Sequence, residues 1–99
     1  MGVTTNEILR RLEDNAPAIR QLGVRSLGLF GSRARGTAVE PSDFDFVVEL
    51  EAKSFDAYMN LKAFLEQLFD CRVDLVLKDT IKPRLRERIL GEALYAPGL

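Results

Sequence analysis

Asp43 and Asp45 stand one residue apart at the mouth of an apolar run, "SDFDFVVEL", shortly after "FGSRARG". Half-buried carboxylates of like charge repel each other and resist leaving water. Something must offset that cost. Residues 43–50 alternate with the period of a strand. Phe44, Phe46, Val48 and Leu50 fall on one face, and Asp43, Asp45, Val47 and Glu49 on the other. The two aspartates therefore project the same way, with Cα atoms about 6.5–7 Å apart. A third carboxylate, Asp74, sits between apolar residues in "RVDLVL". If the two strands are neighbours, three acidic groups converge. A divalent cation is the usual remedy, and a ligand set of oxygens alone suits Mg²⁺ or Mn²⁺, with room for two ions. The plainer alternative is that these aspartates are strand-end caps and solvated loop residues.

Gly31 directly follows an apolar run that reads as a strand, Val24 to Phe30. A residue without a Cβ lets backbone amides come close to an anion. The Ser32 hydroxyl adds a donor, and the guanidinium groups of Arg33 and Arg35 can bind phosphate oxygens in pairs. Alone, a Gly-Ser pair is an ordinary turn and two arginines are ordinary surface charge. Joined to a downstream Asp-x-Asp, the stretch reads as a triphosphate cradle beside a metal site. It is not a P-loop, because the lysine and the glycine spacing are missing.

The rest of the chain narrows the chemistry. With no histidine and a single cysteine, Cys71, zinc sites and Ser-His or Cys-His pairs are excluded. Cys71 reads as a small buried hydrophobe. A hydrophobic fraction of 46% and a charged fraction of 29% are those of a globular chain and argue against disorder. A net charge of −1 gives no basic field for direct nucleic-acid binding. No apolar run is long enough to span a membrane and no secretory leader is read, so the expected location is cytoplasmic.

The elements that must position these residues follow from period and punctuation. Thr4 and Glu7 have the spacing of a capping box before an amphipathic helix that carries Ile8, Leu9, Leu12, Ala16, Ile19 and Leu22. Pro17 either kinks that helix or opens a second one after Asp14. Gly31 to Pro41 reads as a loop with one helical turn over Arg33 to Arg35. Phe55 to Phe69 is a helix with a stripe at Tyr58, Leu61, Leu65 and Leu68. Arg72 to Leu77 is a third strand. Asp79 or Thr80 is expected to cap a last helix, with Pro83 early in it. The expectation is one α+β domain over residues 1–99, with a three- to four-stranded mixed sheet flanked by helices.

Gly31-Ser32, the Arg33-Ala34-Arg35-Gly36 tetrad, Ser42-Asp43-Phe44-Asp45 and Asp74 in "VDLV" together resemble the signature of the minimal nucleotidyltransferases. These belong to the DNA-polymerase-β-like superfamily, and the resemblance runs from the first strand to the last helix. It implies transfer of a nucleoside monophosphate from a triphosphate to a hydroxyl, with release of pyrophosphate. Asp43 and Asp45 would hold two Mg²⁺ ions. Asp74 would help hold the catalytic ion and favour deprotonation of the acceptor. Gly31 and Ser32 would secure the β- and γ-phosphates of ATP.

No added acceptor-binding domain is read after the third strand. The resemblance therefore implies a second protein as partner, an all-helical HEPN-domain RNase toxin that receives AMP on a tyrosine. This chain would be its antitoxin. Two alternatives stand beside that reading. One is an antitoxin that neutralises by occlusion. The other is a nucleotidyltransferase for a small-molecule hydroxyl, with a homodimer building the pocket. Lys82, Arg84, Arg86 and Arg88 make the last helix locally basic, which reads as a solvated helix face, a docking surface for an acidic partner or a contact with nucleotide phosphates; Tyr95 and Leu99 are candidates for an oligomer interface.

Overall fold

The structure is a computed structural model that describes residues 4–36 and 43–99. The 37–42 segment, including Ser42, lies outside the described residues, as do residues 1–3. Helix α1 (Thr5–Asp14) opens with the Thr4 side chain accepting from the Glu7 N–H at 3.1 Å. It stops at Asn15, and α2 (Ala16–Gln21) begins with Pro17 in its first turn, where a missing N–H costs nothing. Of the two readings of Pro17, the second is the one found.

After Gly23 come strand β1 (Val24–Phe30), a one-turn helix α3 (Ser32–Arg35), strand β2 (Phe44–Leu50), helix α4 (Phe55–Phe69) and strand β3 (Val73–Leu77). A 3₁₀ turn over Lys78–Thr80 leads to helix α5 (Pro83–Glu92) and a two-residue strand β4 (Leu94–Tyr95). Asp79 and Thr80 therefore do not cap the last helix. They belong to the 3₁₀ turn, Thr80 donates to the Leu77 carbonyl, and Lys82 holds the cap position without a side-chain bond.

The sheet is mixed, in the order β3-β2-β1-β4. β1 runs antiparallel to β2 and β4, and β3 runs parallel to β2. A parallel neighbour cannot be reached by a tight turn, so α4 makes the crossover. The sheet face that carries Phe44, Phe46, Val48 and Leu50 is buried. It forms one core with Leu27 and Leu29 of β1, Val73 and Leu75 of β3, Ile8 and Leu12 of α1, Ile19 of α2, and Leu61, Leu65 and Phe69 of α4. The rings of Phe44, Phe46 and Phe69 lie 4.9–6.3 Å apart at its centre. β3 is an edge strand, and the Tyr58 hydroxyl covers part of that edge by donating to the Leu75 carbonyl at 2.6 Å. The opposite sheet face carries the aspartates and is crossed by α5.

Leu99 packs against the core rather than standing free, whereas Tyr95 is 44% exposed. Cys71 is half-buried at the core margin. Among the described residues no helix is long and apolar enough to cross a membrane.

Candidate active site

The site is built where β1 ends, β2 begins and β3 runs alongside. β2 and β3 are in register with Asp45 opposite Asp74, and Phe30 is opposite Asp45 on the other side. Strands pair about 4.8 Å apart, and residues in register point to the same face, so Asp45 and Asp74 are side-by-side neighbours. Asp43 precedes β2 by one residue and is exposed, as is Asp74, while Asp45 is half-buried. Burial raises the Asp45 pKa above the usual carboxylate value, and the charges of Asp74 and Asp43 push it further in the same direction. Arg35 opposes them. All three expected carboxylates therefore act on one place. They are not drawn into a cage, because the described residues contain no group of three or more Cys, Asp or Glu side chains placed to hold a metal ion.

Gly31 is at φ +77°, ψ −158°, a conformation left almost entirely to glycine. Its packing is as demanding as its backbone, since a Cβ there would run into the Asp45 carboxylate. The turn therefore lies directly on the central acid. Its Ala34 and Arg35 amides bond back to the Gly31 carbonyl, closing α3. The Thr5 hydroxyl of α1 donates to the Arg33 carbonyl at 2.5 Å and fixes the turn to the body of the protein.

A cavity of about 370 Å³ opens at this point, within the range of small-ligand sites. Phe30, Gly31, Ser32, Arg35 and Asp45 line one side, and α5 supplies the other. The two expected arginines part company. Arg35 lines the cavity. Arg33 is 4% exposed, with its guanidinium 4.5 Å from the Phe44 ring centre, and it is not among the lining residues. Two residues apart on a helical turn, they point to different sides: Arg35 faces the cavity and Arg33 packs on Phe44.

Of the α5 wall of Leu85, Arg88, Ile89 and Glu92, sequence reasoning weighed only Arg88, as one of the basic residues that could contact nucleotide phosphates, and missed the other three as site residues. The signal was present. These positions recur at i, i+3, i+4 and i+7, the spacing of one helix face. Glu92 closes the set: its carboxylate accepts from the Gly31 N–H at 3.0 Å and from Arg35 Nη1 at 3.1 Å.

Comparisons with known proteins give the chain's relatives. The model of the nucleotidyltransferase domain family matches residues 6–96. The protein adenylyltransferase MntA of Thermococcus cleftensis is 38% identical over 95 residues, covering 94% of this chain and 96% of that protein. A solved structure described as a minimal nucleotidyltransferase superposes with a TM-score of 0.81 at 35% identity, over 93% of this chain and 95% of its own. A chain from a crystal structure of a toxin–antitoxin with AMP-PNP superposes with a TM-score of 0.67 at 26% identity, over 98% of this chain and 75% of its own.

Proposed function

The chain belongs to the nucleotidyltransferase domain family, and from that premise we propose that it is a Mg²⁺-dependent protein adenylyltransferase. It moves AMP from ATP to a tyrosine hydroxyl of a partner HEPN-domain RNase toxin and so acts as the antitoxin. The observation that carries this reading is a cavity that joins a glycine turn, a guanidinium and a half-buried aspartate, with Asp74 in register one strand away. The MntA relative is named a protein adenylyltransferase, and the AMP-PNP neighbour is a toxin–antitoxin complex. Both names favour a protein acceptor over a small molecule.

The donor set fits the cation. Carboxylate oxygens are hard ligands, and a half-buried Asp45 under the field of two other aspartates is the group a divalent ion would relieve. Asp43, Asp45 and Asp74 would hold it, and triphosphate oxygens would complete a coordination shell that the three carboxylates do not close alone. When bound, Mg²⁺ or Mn²⁺ supplies charge neutralisation at phosphorus. The chain's own groups do the rest. The Gly31 and Ser32 amides, the Ser32 hydroxyl and Arg35 bind the β- and γ-phosphates and orient the α-phosphorus. The acceptor oxygen bonds to that phosphorus as the bond to the pyrophosphate oxygen breaks. Asp74, exposed at the sheet edge, favours loss of the acceptor proton.

The test is incubation with α-labelled ATP, Mg²⁺ and the protein encoded by the neighbouring gene. Wild type should label that protein. Asp43→Asn combined with Asp45→Asn should lower labelling by about a hundred-fold or more, the scale of losing a principal electrostatic stabiliser. Equal labelling by both forms would exclude the site. Full neutralisation of the partner by the double variant, with no labelling by either form, would replace catalysis with occlusion.

A further inference from the structure

Glu92 is the last residue of α5, and its carboxylate reaches across the cavity mouth. One oxygen accepts from the Gly31 N–H at 3.0 Å, and both accept from Arg35 Nη1 at 3.1 and 3.2 Å. A glycine-turn amide together with a guanidinium is a donor set suited to a phosphate oxygen. Here it is already filled by an anion from the chain itself.

The placement is costly in every other respect. A carboxylate at a helix C-terminus opposes the helix dipole. Its charge also adds to the negative field on Asp45. The helix that carries it is lightly held: none of the α5 residues is buried, and Leu85 is 39% exposed. The Gly31 N–H and Arg35 are thus the groups that offset the charge of Glu92, and a second anion at those donors would have to remove it.

We propose that Glu92 is a built-in competitor for the phosphate position, which a nucleoside triphosphate must displace in order to bind. The inference rests on the nucleotide reading above and adds to it a residue that sets affinity. Apparent affinity falls by the fraction of molecules in which the contact is open. The competition is for phosphate donors alone, so base and ribose contacts are untouched.

Calorimetric titration of Mg–ATP and of adenosine into wild type, Glu92→Gln and Glu92→Asp tests it. Glu92→Gln keeps an acceptor oxygen but loses the charge that holds the contact closed, so it should bind Mg–ATP up to about ten-fold tighter, the gain expected when a contact that leaves roughly a tenth of molecules open is released. Adenosine, which has no phosphate, should gain nothing. Glu92→Asp is one methylene shorter and should fall between, and it carries the test alone if circular dichroism shows Glu92→Gln unfolded. Unchanged or weaker Mg–ATP binding by the variants would overturn the proposal, as would an equal gain for adenosine. Failure of wild type and both variants to bind Mg–ATP would instead overturn the nucleotide reading, and the competitor with it.

Discussion

At the scale of residues, the site couples function to instability. Burial, Asp74 and Asp43 raise the Asp45 pKa, so the folded chain keeps this proton at a pH where the unfolded chain has lost it. The stabilising contribution is present at acid pH and is lost as pH rises through the folded pKa, leaving the ionised group a cost at neutrality. Asp45→Asn should therefore raise the pH 7 melting temperature by a few degrees, an increment that vanishes below the carboxylate range, while abolishing transfer. Calorimetric scans across pH check the sign, and a variant that melts lower at pH 7 would contradict it. Gly31→Ala should do the reverse of stabilise. It forces a Cβ into a conformation costing about 1–3 kcal/mol and into the Asp45 carboxylate, so both melting temperature and Mg–ATP binding should fall. The two arginines separate in the same assay: Arg35→Ala should weaken Mg–ATP binding several-fold, whereas Arg33→Ala should lower stability by about 1–3 kcal/mol through lost packing on Phe44 and change affinity little. Equal affinity losses would put both arginines at the phosphates.

At the scale of elements, legibility followed the strength of the local pattern. β2 was readable because its alternation is interrupted only at Val47, itself buried: the same period that buries Phe44, Phe46, Val48 and Leu50 turns Asp45 to the other face. The parallel register of β2 with β3 was not readable, because pairing is decided by the α4 crossover and by no residue within either strand. β4 was missed, since two residues carry no period, and it is recognisable only once Gly28 lets Ala93 and Tyr95 approach to 3.3 Å of where a Cβ would stand. The α5 start was misplaced because Asp79 and Thr80 look like caps, yet the chain spends them on a 3₁₀ turn before Pro83. The Thr4 cap, by contrast, was legible from its Glu7 spacing. Thr4→Ala should cost about 1 kcal/mol. That lowers the melting temperature by about 4–8 °C for a chain of this size, with Mg–ATP affinity unchanged. A loss of affinity would mean that α1 acts on the site through the Thr5–Arg33 contact and not merely as scaffold.

At the scale of the whole molecule, one sheet divides the labour. Its apolar face holds the helices together, and its other face exposes a charged cleft walled by α5. A ligand that binds only the folded chain stabilises it, so ATP should raise the melting temperature more with Mg²⁺ than with EDTA. Equal shifts would leave the three aspartates without a cation. Under the proposed function the glycine turn and Arg35 would take the far phosphates and the aspartates would face the near one, which gives the α-phosphorus, not the γ-phosphorus, to the acceptor. Parallel reactions with α-labelled and γ-labelled ATP on the partner protein test that assignment most directly. Label carried over from the α position alone, with labelled pyrophosphate released from the γ position, is the predicted result. Label carried over from the γ position would contradict it.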